Sequence, residues 1–146
     1  MPILYDISPE INLLIYICTE TLNGVKFFET ADKAVQDSHY RPQMKMIIDI
    51  STAEIDTSVS DMRLAIEKNK ILMAGGQKLG LVAVYTQSAS LKFLADALKI
   101  MSPDAPSTFS LCSNKRDAIS WLGLSELEKE VVQFWDAASA KASKAE

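Results

Sequence analysis

The chain has 146 residues, of which 48% are apolar and 23% charged, the size and composition of one soluble globular domain. Its 15 basic and 19 acidic residues give a net charge of −4, which argues against the basic surface of a nucleic-acid-binding protein. One histidine, His39, and two cysteines, Cys18 and Cys112, are too few for the ligand pattern of a structural zinc site.

Neither a targeting signal nor a membrane-spanning segment is predicted. Met1 to Asp6 lack the basic start of a signal peptide. The longest apolar run, Leu13 to Cys18, is far shorter than the roughly 20 residues that cross a bilayer. We therefore expect a cytoplasmic protein whose two cysteines are reduced.

The N-terminal segment predicts a β-hairpin followed by a helix. Ile3 to Tyr5 and Ile11 to Cys18 are apolar, strand-like runs, and Ser8 to Glu10 between them contains a proline turn. Apolar residues then follow helical spacing from Leu22 to Val35, and Thr19 is the expected N-cap of this helix.

The rest of the chain alternates predicted strands and helices. The strands are Met44 to Ile50, Leu79 to Tyr85 and Thr108 to Cys112, and the helices are 58–74, 91–98, one opened by Asn114 and one capped by Ser125. The order ββαβαβαβαα predicts an α/β fold with a single mixed, mostly parallel sheet, an antiparallel N-terminal strand and helices packed on it. We expect residues 1–136 to form one domain and residues 137–146 to be a fraying helix or tail.

Catalytic and phosphate-binding motifs are incomplete. Gly75 and Gly80 have the spacing of a phosphate-binding loop, but Leu81 and Val82 stand where Lys and Ser or Thr are required. Serines lie outside any GxSxG motif, and His39 lies in the polar end of the first predicted helix. We therefore predict that the chain is not an enzyme and uses no cofactor or metal.

Asp49 ends a predicted buried strand, a position where α/β folds often carry functional groups. A receiver-type phosphoacceptor needs an acidic pair after the first strand, where only Glu20 is near. A haloacid-dehalogenase-type site needs a second aspartate where Ser51 stands. We interpret Asp49 as a residue that caps its loop by accepting backbone N–H groups, with phosphotransfer as an alternative.

Two segments resemble a known family. The sequence IIDI at Ile47 to Ile50, followed by IDTS at Ile55 to Ser58 and a predicted helix, resembles the STAS domain of anti-sigma-factor antagonists. The sequence RDAISWLG at Arg116 to Gly123 is similar to the closing signature of the SpoIIAA-like branch, also described as STAS/SEC14-like. The resemblance covers roughly residues 11 to 123.

The resemblance implies a non-catalytic module that binds a protein partner or a small ligand in regulation. In antagonist proteins a kinase phosphorylates the Ser or Thr that opens the helix, and the partner is then released. The matching residues are Ser58, with Thr57 beside it and Asp56 before it, although Val59 stands where the family has glycine. The residues themselves favour the simpler interpretation that Ser58 is a helix N-cap, with Asp61 three residues later.

The SEC14-like label implies an alternative, a carrier of a small apolar ligand or lipid. Trp121 is then expected to line an apolar pocket that methionines make adaptable. The apolar neighbours of Trp121 on its helix predict instead that it packs against the sheet. The last helix carries a broad apolar stripe with Leu127, Val131 and Trp135, which either packs on its own sheet or contributes to a homodimer.

Overall fold

A computed structural model describes residues 3–22, 24–55, 80–88 and 109–144. The strands are β1 (Ile3–Ser8), β2 (Leu13–Cys18), β3 (Thr21–Leu22), β4 (Lys45–Asp49), β5 (Glu54–Ile55), β6 (Val82–Tyr85) and β7 (Phe109–Cys112). The helices are α1 (Gly24–Val35), α2 (Lys115–Trp121) and α3 (Glu128–Lys144), with a 3-10 turn at Ser125–Leu127 before α3. The predicted helices at 58–74 and 91–98 lie outside the described residues.

Five strands form one sheet in the order β1-β2-β4-β6-β7. Strand β1 pairs antiparallel with β2, and the β2–β4, β4–β6 and β6–β7 pairs are parallel. The predicted α/β class, with a mostly parallel sheet and an antiparallel N-terminal strand, is confirmed. Strand β4 is the central strand of this order. Its carboxyl end therefore lies in the middle of the edge at which the parallel strands end, which we call the carboxyl edge.

The predicted N-cap at Thr19 is wrong. Helix α1 begins at Gly24, because the chain first forms strand β3, which pairs in parallel with β5. This pairing joins two segments that are more than 30 residues apart, with Thr21 opposite Glu54, and local sequence patterns do not reveal it. Ser125 likewise begins the 3-10 turn, and α3 starts three residues later at Glu128.

Helices cover both faces of the sheet. On one face, buried residues of β2, β4 and β6 pack against α2 and α3; they include Leu13, Ile15, Ile47, Ala83, Ile119, Val131 and Trp135. On the other face, Leu14 and Tyr16 pack against Ala34 of α1. Strand β2 is therefore buried along its entire length, as its uninterrupted apolar sequence predicts.

Helix α3 extends to Lys144, into the segment predicted to be a fraying helix or tail. Ala138 and Ala142 are buried, and the Lys141 ammonium lies 2.8 Å from the Asp6 carboxylate on β1. Val131 and Trp135 of the apolar stripe are fully buried against the chain's own sheet, whereas a homodimer stays a prediction. In the described part of the chain, no helix is long and apolar enough to cross a membrane.

Gly80 lies against the backbone that precedes β4. A Cβ atom at this position would be 2.1 Å from the Met44 carbonyl oxygen and 2.7 Å from that of Gln43. Since both obstacles are backbone atoms, we expect Gly80→Ala to lower the free energy of unfolding by about 3 kcal/mol in urea denaturation.

Gly123→Ala is the matched control. Gly123 has φ 71°, but the nearest atom to an added Cβ is the Lys45 ammonium nitrogen at 3.7 Å, so we expect a loss of about 1 kcal/mol. Equal losses for the two variants would contradict the close approach at Gly80.

Candidate ligand-binding site

Polar residues collect at the carboxyl edge of the parallel strands. Ser51 follows β4, Thr86 and Gln87 follow β6, and Ser113 follows β7. Because the parallel strands end on the same side, these short segments lie at one edge of the sheet. This is the edge at which open α/β sheets bind their ligands.

The carboxylate of Asp49 lies at the middle of this edge and is 6% exposed. Its Oδ1 accepts the backbone N–H of Ser51 at 3.0 Å and the Ser51 hydroxyl at 2.6 Å. Its Oδ2 accepts the indole N–H of Trp135 at 2.8 Å. The predicted loop-capping role of Asp49 is confirmed, and the bond to α3 is an additional function that the sequence did not indicate.

Trp135 connects this carboxylate to three other elements. Its ring is fully buried and makes an edge-to-face contact with Tyr85 of β6, with 5.2 Å between ring centroids. The Lys115 ammonium of α2 lies 5.0 Å from the centre of the indole and 2.9 Å from Asp136 of α3. Trp135 therefore ties β4, β6, α2 and α3 together directly beneath the carboxyl edge.

This geometry favours a structural role for Asp49 over the alternative of a phosphoacceptor. Both carboxylate oxygens are engaged with groups of the protein, and the side chain is nearly inaccessible to solvent. Among the described residues, no group of three His, Cys, Asp or Glu side chains is placed to bind a metal ion.

A cavity of about 430 Å³ opens at the ends of β6 and β7, beside helix α2. Its lining includes Thr86, Gln87, Ser88, Ser110, Leu111, Cys112, Ser113, Asp117 and Trp121. Hydroxyl, amide and carboxylate groups predominate among these residues. The arrangement is suited to a small ligand that is held by hydrogen bonds around one aromatic side chain.

Hydrogen bonds hold the two loops of the cavity together. The Gln87 side-chain amide donates to the Ser113 carbonyl at 2.8 Å, and the Thr86 backbone N–H donates to the Cys112 carbonyl at 3.0 Å. The Thr86 hydroxyl oxygen accepts the Ser88 backbone N–H at 3.1 Å. These bonds shape the rim before any ligand arrives, which lowers the entropic cost of binding.

Trp121 both packs on the sheet and lines the cavity. Its indole N–H donates to the Val82 carbonyl at 3.2 Å, and its ring packs against the main core, as its helical neighbours predict. Whether it holds an apolar ligand stays a prediction. Of the methionines predicted to make such a pocket adaptable, Met44 is fully buried and Met46 is partly buried on the face that α1 covers. Met62, Met73 and Met101 lie outside the described residues.

Asp117 supplies a charge to the described lining of the cavity. Asn114 caps α2, since its side-chain oxygen accepts the Asp117 backbone N–H at 2.8 Å. The Asn114 amide group donates in return to the Asp117 carboxylate at 2.9 Å. This reciprocal pair fixes the carboxylate four residues, or about one helical turn, before Trp121.

The two cysteine thiols are both buried, and both have raised pKa values. Cys112 lines the cavity, but burial raises the pKa of its thiol, so that the reactive thiolate is disfavoured at neutral pH. Cys18 is also a free, buried thiol with a raised pKa.

His39 lies on the other side of the sheet from the cavity, in the segment that enters the amino end of β4. Its Nδ1 is 3.1 Å from the Asp37 carboxylate. The His39 backbone N–H and the Tyr5 hydroxyl, which donate to Asp37, lower the pKa of that carboxyl group. This cluster therefore contributes no acid–base group to the cavity.

The predicted switch residues Asp56, Thr57 and Ser58 lie outside the described residues. The sequence did not identify Gln87, Ser113 and Asp117 as cavity residues. The available signal was their position just after two successive predicted strands. It was insufficient, because strand order in the sheet had to be known before β6 and β7 could be recognised as neighbours.

Comparisons with known proteins find similarity to a solved structure. No family model matches the chain, and a comparison with curated proteins finds no match. The structure is similar to the crystal structure of an uncharacterized protein from the DUF3478 family with a SpoIIAA-like fold, from Shewanella loihica PV-4. The two chains are 22% identical over 82% of this chain and 91% of that chain, with a TM-score of 0.47.

Replacing the Asp49 carboxylate tests its role beneath the site. Asp49→Asn keeps the shape of the side chain but removes the negative charge from the group that accepts three hydrogen bonds. We expect it to lower the free energy of unfolding by about 2 kcal/mol. In a double-mutant cycle with Trp135→Phe, measured by urea denaturation, we expect a coupling of about 2 kcal/mol.

Asp136→Asn is the control, because this carboxylate also contacts the Trp135 cluster through Lys115 but its side chain is 61% exposed. Asp136→Asn should lower the free energy of unfolding by less than about 1 kcal/mol. A coupling near zero between Asp49 and Trp135 would contradict the bond as a structural tie.

Proposed function

We propose that the chain is a non-catalytic binding module that takes up a small polar ligand at its carboxyl edge and acts in regulation. The observation that carries this proposal is the cavity of about 430 Å³, where six of the nine described lining residues carry a hydroxyl, amide or carboxylate group. Its Ser, Thr and Gln side chains supply hydrogen-bonding groups, and Trp121 supplies an aromatic surface. Small-molecule sites commonly combine a few oriented polar groups with such a surface.

The charge of the lining favours a ligand with an amino or guanidinium group. Asp117 is the charged residue among the described lining residues, and it is negative. Trp121 lies one helical turn further along the same helix. A cation gains from both a carboxylate and an indole ring, and the gain grows as the group is withdrawn from water.

A role without catalysis is supported by what the side chains at this edge already do. The Asp49 carboxylate is used in holding α3, Cys112 is a buried thiol with a raised pKa, and the Asp37–His39 pair belongs to the opposite side of the sheet. The expected outcome of binding is therefore a change of surface or stability and not a reaction.

The alternative, a SEC14-like carrier of a small apolar ligand or lipid, stays a prediction. It requires an apolar chamber, and among the described lining residues Leu111, Cys112 and Trp121 are those that would supply apolar surface. Native mass spectrometry of the freshly purified protein distinguishes the two. A bound lipid would favour the carrier over the polar-ligand module.

Titration with small amines tests the polar-ligand proposal. We expect arginine and ethanolamine to shift the NMR signals of the Gln87 side-chain amide and the Trp121 indole, and matched carboxylates to leave them unchanged. Asp117→Asn should weaken the binding of the amines about threefold, because a charge of opposite sign is lost from an exposed position.

Asp136→Asn removes the same charge from a different part of the surface and should leave binding unchanged. Shifts that are as large with carboxylates as with amines, or that survive Asp117→Asn, would contradict the proposed ligand class. The absence of shifts with every compound, together with a bound lipid, would leave the carrier as the better explanation.

We also propose, from the sequence resemblance, that Ser58 or Thr57 is a regulatory phosphorylation site for a protein partner. The described strand β5 ends at Ile55, so Asp56, Thr57 and Ser58 follow directly after a strand that pairs with β3. A phosphate adds about −1.5 to −2 charges and would change any partner surface to which this segment contributes.

Charge-mimicking variants test the switch. We expect mass spectrometry of the protein isolated from its own cells to map a phosphate to Ser58 or Thr57. We expect Ser58→Asp to lose a partner that Ser58→Ala retains. Ser143→Asp places the same charge on the exposed side of α3 and is the control. An unmodified protein whose partner binding is unaffected by Ser58→Asp would refute the switch.

A further inference from the structure

Strand β1 leaves one of its edges unpaired. It is the first strand of the order β1-β2-β4-β6-β7, and in the described part of the chain no strand pairs with its outer edge. An edge strand of this kind presents a row of free N–H and C=O groups that can pair with another chain.

The hydrogen-bond pattern identifies which groups point outwards. The Lys45 N–H donates to the Asn12 carbonyl, so even-numbered residues of β2 direct their backbone groups towards β4. Odd-numbered residues of β2 then bond to β1, where Ser8 lies opposite Leu13 and Asp6 opposite Ile15. By alternation, Ile3, Tyr5 and Ile7 direct their N–H and C=O groups to the open edge.

One of these outward groups already has a partner within the chain. The Asp6 Oδ1 accepts the backbone N–H of Ile7 at 2.9 Å. The other oxygen of Asp6 accepts from the Lys141 ammonium of α3 at 2.8 Å. The last turns of α3 therefore hold the carboxylate at the open edge of β1.

The Asp6 carboxylate disfavours antiparallel pairing of β1 with β1 of a second copy of the chain. Two β1 strands related by a two-fold axis at Tyr5 would place Ile7 of one copy opposite Ile3 of the other. The Ile7 N–H would then have to leave Asp6 in both copies. The two Asp6 side chains would also lie diagonally on the same face, about 7–8 Å apart, where like charges repel.

We infer that Asp6, positioned by Lys141, prevents the open edge of β1 from pairing with β1 of a second copy. The occupant that the edge would accept is a second copy of this chain, because antiparallel pairing about Tyr5 is self-complementary and requires no other partner.

Sedimentation over a concentration series tests this inference on the full chain. Asp6→Ala removes both the acceptor and the charge, and we expect the dimer dissociation constant to fall more than about tenfold. Asp6→Asn keeps an oxygen acceptor, so its dimer dissociation constant should lie between those of Asp6→Ala and the unaltered protein. Asp136→Ala removes an exposed ion pair from another part of α3 and should leave the dimer dissociation constant unchanged.

A second variant locates the interface. Ile7→Pro in the Asp6→Ala protein removes an outward N–H without removing a bond to β2, and it should restore the monomer. Should this variant fail to fold, hydrogen exchange of the Ile3, Tyr5 and Ile7 amides in Asp6→Ala gives the same information, since pairing protects them as concentration rises. A monomeric Asp6→Ala protein, or a dimer whose β1 amides stay unprotected, would overturn the inference.

Discussion

The hydrogen bond between the Asp49 carboxylate and the Trp135 indole is the contact on which the arrangement of the carboxyl edge depends. It joins the end of the central strand to the last helix across 86 residues of sequence, at 2.8 Å and out of contact with solvent. A buried carboxylate is stable only when its oxygens are satisfied, and here Ser51 and Trp135 satisfy them. The position of α3 is therefore determined by a polar requirement as well as by burial of its apolar stripe.

The Asp49–Trp135 hydrogen bond is connected to elements on both sides of the central strand. Through Tyr85 and Lys115 it connects to β6 and α2, the elements that carry the cavity. Through α3 it reaches Lys141, which holds Asp6 at the open edge of β1. The last helix therefore contacts elements near both ends of the strand order, with Trp135 beside Tyr85 of β6 and Lys141 beside Asp6 of β1.

Much of the fold could be predicted from local patterns. The hairpin turn at Pro9, the buried run of β2 and the N-cap at Asn114 each depend on a few adjacent residues, and each has the predicted outcome. Thr19 failed as a helix cap because the two-residue strand β3 finds its partner more than 30 positions away. The partner of Asp49 was missed for the same reason: an aspartate at the end of a strand identifies a cap, but no local signal indicates that an indole from the last helix completes it.

The sequence by itself determined the alternation of strands and helices, the mixed sheet with its antiparallel first strand, and a polar composition at the ends of the strands. It could do so because apolar periodicity and turn residues act over neighbouring positions. The tertiary structure alone decided that β6 and β7 lie side by side, that Trp121 and Asp117 border the same cavity, and that Asp49 bonds to Trp135. Those contacts depend on which strands become neighbours and on how the last helix packs, and these are properties of the whole chain.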